Sequence, residues 1–215
     1  MKTDDLIQKL AADLKPVRSM ASPLRMTVLF FIIGLGLIAL SFIVMSSRID
    51  LRDEIKSPKF LFEVGISLIL ALSALSLSTF LSRPGRTNEA RWLERVTLAL
   101  LALVLVYDGL KVFQLSADQI FHGLNLAGIE CFLAVSGFSV ALGAAMIFWL
   151  RKGASVNPRL SGLVIATACV AFANVSIVFF CGSDNGMHIL MWHFALPMFV
   201  AIGGGLIASR FSLKW

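Results

Sequence analysis

Six apolar stretches occupy most of this chain, and each has the length of about 20 residues that a helix needs to cross a bilayer's hydrocarbon layer. They run over about residues 26–46, 60–81, 93–113, 131–150, 160–180 and 189–209. Inside a bilayer no water is present to satisfy backbone N–H and C=O groups, so such stretches must fold as helices that satisfy their own. Outside them lie an N-terminal segment, residues 1–25, a C-terminal end, residues 210–215, and short connections. None of these can hold a soluble domain. Composition agrees. The chain is 58% hydrophobic and 15% charged, against about 45–50% and about 25% in soluble proteins, and its mean hydropathy is +0.85. The expected fold is all-α: a six-helix transmembrane bundle over residues 26–209, preceded by a short amphipathic helix.

The net charge of +6 is not a nucleic-acid footprint, because the basic residues sort by membrane side. Lys2, Lys9, Lys15, Arg18 and Arg25 precede the first span, Arg83, Arg86, Arg91 and Arg95 follow the second, Arg151, Lys152 and Arg159 follow the fourth, and Arg210 and Lys214 follow the sixth. The opposite side carries Arg48, Arg52, Lys56, Lys59 and Lys111, diluted by Asp50, Asp53 and Glu54. The positive-inside bias predicts a multi-pass protein with both termini in the cytoplasm. The polar first 25 residues and the lack of a small-residue cleavage site make the first span an anchor rather than a removable signal.

The N-terminal segment carries its own pattern. Thr3 suits an N-cap, and Asp4 and Asp5 suit a first helical turn. Leu6, Ile7, Leu10, Ala11 and Leu14 then recur on one helical face until Pro16 stops the helix. A helix of about 12 residues is marginal alone in water, so its stripe needs a surface, either the lipid interface or a hydrophobic groove on a partner. Acidic residues nearly balance basic ones here, which argues against anionic lipid.

Within the spans, Ala71, Ala74 and Ser78 and likewise Gly137, Ala141 and Ala145 form small-residue stripes that predict close helix packing. Gly203, Gly204 and Gly205 mark a tight or flexible place in the sixth span. Asp108 and Lys111, three residues apart, are expected to pair on one helical face, and Glu63 is expected in solvent near the interface.

Thiols and imidazoles carry the remaining chemistry. Cys131 opens the fourth span and Cys181 closes the fifth, and His122, His188 and His193 fall on the same, outer side. Spans four and five share a short inner connection, so they are expected as antiparallel neighbours with both thiols at one depth. Three readings stay open for the pair: a structural disulfide, a sensor of oxidant or soft metal, or unrelated cysteines. A disulfide requires a Cα separation of about 4.4–6.8 Å. Thiolate and imidazole together suit Zn²⁺, Cd²⁺ or copper, but the spacing matches no standard zinc motif. An α-helical reading places His188 and Trp192 on one face and His193 off it. Cys169, mid-span, reads as packing.

The opening Met-Lys-Thr-Asp-Asp-Leu-Ile, the six spans, Gly128-x-x-Cys131, and the closing Cys181…His188-x-x-x-Trp192-His193-x-x-x-Pro197 with its Lys214-Trp215 end together resemble the negative regulator of sigma F family. The resemblance covers the whole chain. It implies a bacterial inner-membrane anti-sigma factor, not an enzyme, that holds an extracytoplasmic-function sigma factor and releases it under stress. It implies that the tail is the sigma-holding part, with Asp4, Asp5, Leu6, Ile7, Leu10 and Leu14 as candidate contacts. It also implies that Cys131 and Cys181 take part in the response to oxidant or heavy metal. Apart from the resemblance, the clustering of His122, His188, Trp192 and His193 on the outer side makes them candidate metal or site support. No catalytic set, no cofactor and no direct nucleic-acid contact is expected. Two rivals are weaker. A membrane thiol oxidoreductase would need a Cys-x-x-Cys, which the chain lacks. A small transporter would favour midplane charges and repeated broken helices.

Overall fold

The computed structural model describes residues 21–83, 87–153, 155 and 157–211. The expected tail helix with its candidate contacts, and Lys214 and Trp215, lie outside the described residues. Every regular element among the described residues is helical. The long ones are α1 (Pro23–Val44), α2 (Pro58–Leu81), α3 (Thr87–Phe113), α4 (Ile129–Leu150), α5 (Pro158–Ile177) and α6 (Leu196–Phe211), the last preceded by the helical turn Gly186–His188 and a π-helical segment, Ile189–Ala195. Among the described residues, six helices are long and apolar enough to cross a membrane, with α6 and its lead-in counting as one span, Gly186–Phe211. Their starts carry side-chain caps that answer otherwise orphaned amides. Ser22, Ser57 and Asn157 accept from the amides of Arg25, Phe60 and Leu160, and a proline follows each cap where its missing N–H costs nothing.

α5 is the central helix, packed on by α2, α4 and α6. In its most apolar stretch 83% of residues are buried, against 11–39% in the other spans. Small side chains make this possible. Gly162, Ala166, Ala168, Ala171 and Ala173 are all buried, and small residues let helix backbones approach where no hydrophobic driving force separates protein from lipid. Phe172 provides the bulk. It lies where a Cβ on Gly34 of α1 would stand, 2.6 Å away, and stacks on Phe138 of α4 with ring centroids 6.1 Å apart.

Two of the expected stripes behave differently. Ala71, Ala74 and Ser78 are fully buried in α2. In α4 the buried face is instead Val135, Phe138, Ser139, Leu142, Gly143 and Met146, while Gly137 and Ala141 are exposed and a Cβ on Gly137 would meet nothing. The bulkier face wins because α5 already supplies the small residues at that contact. Of the three consecutive glycines only Gly205 packs tightly. Its carbonyl and that of Gly162 in α5 each occupy the place of the other's Cβ. Gly162→Ala therefore forces two backbones apart and is expected to cost about 1–3 kcal/mol, as overpacking does. Thermal unfolding in detergent checks this, with Gly203→Ala, which faces open space, as the near-neutral control.

At the end of the bundle where α2 begins and α3 ends, a polar knot joins those two helices. Lys111 Nζ lies 2.7 Å from Glu63 Oε1 and 3.3 Å from Asp108 Oδ1, and the Tyr107 hydroxyl donates to the same Glu63 oxygen at 3.3 Å. The expected Asp108–Lys111 pair is present. Glu63, expected in solvent, is instead its third member, because a carboxylate at that depth is cheaper paired than bare.

Candidate metal and thiol centre

Cys131 is the third residue of α4, and Cys181 sits one turn beyond α5, its amide donating to the Ile177 carbonyl at 2.9 Å. The turn after α5 is fixed from the side. The Arg48 amide donates to the Phe179 carbonyl at 3.1 Å, and the Arg48 guanidinium grips Asp50 at 2.6 Å and Asp184 at 3.6 Å. These bonds hold the Asp50 carboxyl below its usual range, the Arg48 hydrogen bond being the largest cause. Asn185 then starts the sixth span. Its side-chain oxygen accepts from the amides of Met187 and His188, and its Nδ2 donates to the Gln119 carbonyl at 2.8 Å, tying in the short helix Ala117–Gly123.

The result is a cluster. The ligand atoms of Cys131, Cys181, His188 and His193 all lie within 4.8 Å of one another. The cysteines are free thiols. Cys181 Sγ is 3.4 Å from His188 Nε2, and the two imidazoles meet edge to face with centroids 5.2 Å apart. Cys181, His188 and His193 are buried and Cys131 is partly so. Cys181 is held below the ordinary thiol range. The hydrogen bond from Cys131 is the largest cause, and burial opposes it, while His188 and His193 add to the lowering. His193 Nε2 is buried with no hydrogen-bond partner among the described residues.

This donor set fits a soft or borderline cation. Two sulfurs and two imidazole nitrogens make a four-coordinate site, and bond lengths of about 2.0–2.3 Å give tetrahedral edges of about 3.3–3.8 Å. An upper separation of 4.8 Å needs only small side-chain adjustments to reach that. Two free thiols this close can also yield a disulfide when an oxidant takes two electrons and two protons.

The other residues singled out in the sequence do not join the cluster. Trp192 lies outside the cluster. Its Nε1 donates to the Gly123 carbonyl at 3.1 Å, and its indole occupies the space a Cβ on Gly128 would need. Gly128-x-x-Cys131 is thus a landing place for Trp192 followed by a ligand one helical turn on. His122 is exposed and takes Asp118 as its partner through its carbonyl at 3.0 Å, away from the cluster. The α-helical expectation for His193 is corrected by the π-helical segment. Five residues at 3.6 per turn would leave His188 and His193 about 140° apart, whereas at about 4.4 per turn they differ by only about 50°. Cys169 is buried with Sγ 3.8 Å from Met146 Sδ, as a packing residue would be.

The model of a family described as negative regulator of sigma F matches residues 10–215. The chain belongs to the negative regulator of sigma F family. Membership places it among regulators rather than enzymes. It is similar, at 28% identity over 220 residues and the full length of both chains, to a protein named probable anti-sigma-F factor NrsF from Azospira oryzae. It is also similar, at 26% over 221 residues and again full length, to the anti-sigma-F factor NrsF of Caulobacter vibrioides. No solved structure matches. Asn174 of α5 reaches the backbone of this cluster, a contact that sequence reasoning missed. It is buried, and its Nδ2 donates to the His193 carbonyl at 3.0 Å. The available signal was a polar amide in the last turn of an apolar span, which is a candidate functional position on cost alone.

Proposed function

We propose that this chain is a membrane-bound anti-sigma factor whose input is a soft metal ion or oxidant at Cys131 and Cys181. It holds an extracytoplasmic-function sigma factor through the cytoplasmic segment of residues 1–25 and releases it when the thiol centre reacts. Residues 26–209 form the bilayer-embedded part, in a bacterial inner membrane with both termini cytoplasmic, as the basic residues argue. The observation that carries the input end is the gathering of two thiols and two imidazoles from α4, the end of α5 and the start of the sixth span. His188 and His193 complete the donor set. His122 and Trp192 do not belong to it.

The output end rests on the tail pattern and on family membership. Asp4 and Asp5 suit a basic rim, and Leu6, Ile7, Leu10 and Leu14 suit an apolar groove. The direct test is affinity purification of the tagged chain from its own cells in detergent. A sigma factor is expected in the eluate, and Cd²⁺ added to the immobilised complex is expected to release it. A chain that elutes with no sigma factor overturns the reading.

A further inference from the structure

We infer that Asn174 and Pro197 are positioning residues that hold His193 in the metal centre by stabilising the π-helical turn, and so set the centre's preference for tetrahedral over linear-binding cations. This rests on the metal reading of the Cys131–Cys181 centre given above. In an α-helix the His193 carbonyl would accept from the amide of residue 197. That residue is proline, which has no N–H and whose ring crowds the carbonyl four residues before it. An unanswered buried carbonyl is costly. Asn174 answers it from α5, donating at 3.0 Å through the same Nδ2 that donates to its own helix's Val170 carbonyl at 2.9 Å. The chain N-terminal to Pro197 widens into the π-helical segment Ile189–Ala195, where the Leu196 amide reaches back five residues to the Met191 carbonyl. Such turns occur often at functional sites. Here the widening has a specific product, since it swings His193 round beside His188 and into reach of both sulfurs.

The two residues therefore act on the fourth ligand and not on the thiols. Without His193 in place the centre keeps two sulfurs and His188. Two thiolates alone still suffice for Hg²⁺, which two sulfurs bind in a line, but they hold Cd²⁺ poorly because it favours four ligands. Pro197→Ala restores the N–H that lets an α-helical bond compete for the His193 carbonyl. Asn174→Leu removes the donor that answers that carbonyl while keeping the same number of side-chain heavy atoms.

The test is Cd²⁺ and Hg²⁺ binding to the full-length protein in detergent, by competition with a chromophoric chelator and by protection of Cys131 and Cys181 from maleimide. Both variants are expected to weaken Cd²⁺ by about 10–100-fold, the usual effect of removing a group that orients a ligand. Both are expected to take up one Hg²⁺ per chain as the parent does. In a His193→Ala background neither is expected to weaken Cd²⁺ further. Parent-like Cd²⁺ affinity in both variants overturns the inference. So does an equal loss in the His193→Ala background, or a loss of Hg²⁺ uptake, either of which makes the residues structural. A parent chain that takes up no Cd²⁺ at all overturns the metal centre itself, and this role with it.

Discussion

Replacing Cys131 and Cys181 together with serine is expected to abolish induction of the sigma-dependent genes by Cd²⁺ and by thiol oxidants, while leaving their repression in unstressed cells intact. The asymmetry follows from the structure. The two sulfurs are the only donors in the four-ligand cluster that prefer soft cations to harder ones. A serine hydroxyl does not ionise at neutral pH and offers such a cation little, so Cd²⁺ affinity is expected to fall by more than the roughly 10–100-fold typical of an orienting group. Nor can serine form the disulfide. Packing changes little, because the exchange keeps the side chain short and Cys131 is only partly buried. A reporter gene driven by the sigma factor, with the protein's level checked by immunoblot, reads the outcome. Induction that persists at parental strength removes the thiols from the mechanism. Single replacements sharpen the reading. Cys181 is the thiol in direct contact with an imidazole, its Sγ 3.4 Å from His188 Nε2, so Cys181→Ser alone is expected to be as severe as the pair.

Deleting residues 1–15 is expected to give the opposite phenotype, constitutive expression at the level of cells lacking the whole protein. Under the proposed reading the stripe of Leu6, Ile7, Leu10 and Leu14 folds only against a surface, a helix of this length being marginal alone in water. Amphipathic helices laid in grooves are read through a few apolar anchors at this spacing. Loss of the stripe removes those anchors while leaving the spans untouched. The shortened protein is expected to remain in the membrane and to bind Cd²⁺ as before, which separates loss of holding from loss of folding. Continued repression by a shortened protein present at normal level would sink the tail as the holding element. Leu6→Asp with Leu10→Asp is expected to reproduce the deletion, since charge on the apolar face blocks docking without removing chain.

The spans were legible because hydropathy and length alone decide what crosses a bilayer. Their arrangement was not. All six are comparably apolar, and hydropathy does not say which one is surrounded by the others. Glycine and alanine content did not say it either, since α4 carries at least as many of them as α5 and yet its Gly137 and Ala141 face outward. The thiol pair was legible from topology. The histidines were only half so, because periodicity arguments assume 3.6 residues per turn, and the segment around His193 does not obey it. Pro197, four residues after His193, was the written sign of that departure. Asn174 and Glu63 show the same limit. Each is a polar group in an apolar setting whose partner lies on another helix, at a sequence distance that no local pattern reports.

The meeting of Gly162 and Gly205 bears on how far a disturbance at the thiols can carry. α5 and the sixth span touch backbone to backbone there, so a rigid rocking of one on the other takes this point as its fulcrum. From His193 to Gly205 is about 18 Å at 1.5 Å per residue, and from Gly205 to Phe211 about 9 Å. The far arm is half the near one. A displacement of about 1 Å beside the thiols returns only about 0.5 Å, in the opposite sense, at the other surface. Such a seesaw diminishes motion rather than magnifying it. A signal that crosses this bundle with undiminished amplitude must travel as a slide along a helix axis or as a turn about it, and the interlocked carbonyls of Gly162 and Gly205 are the contact that either movement has to release.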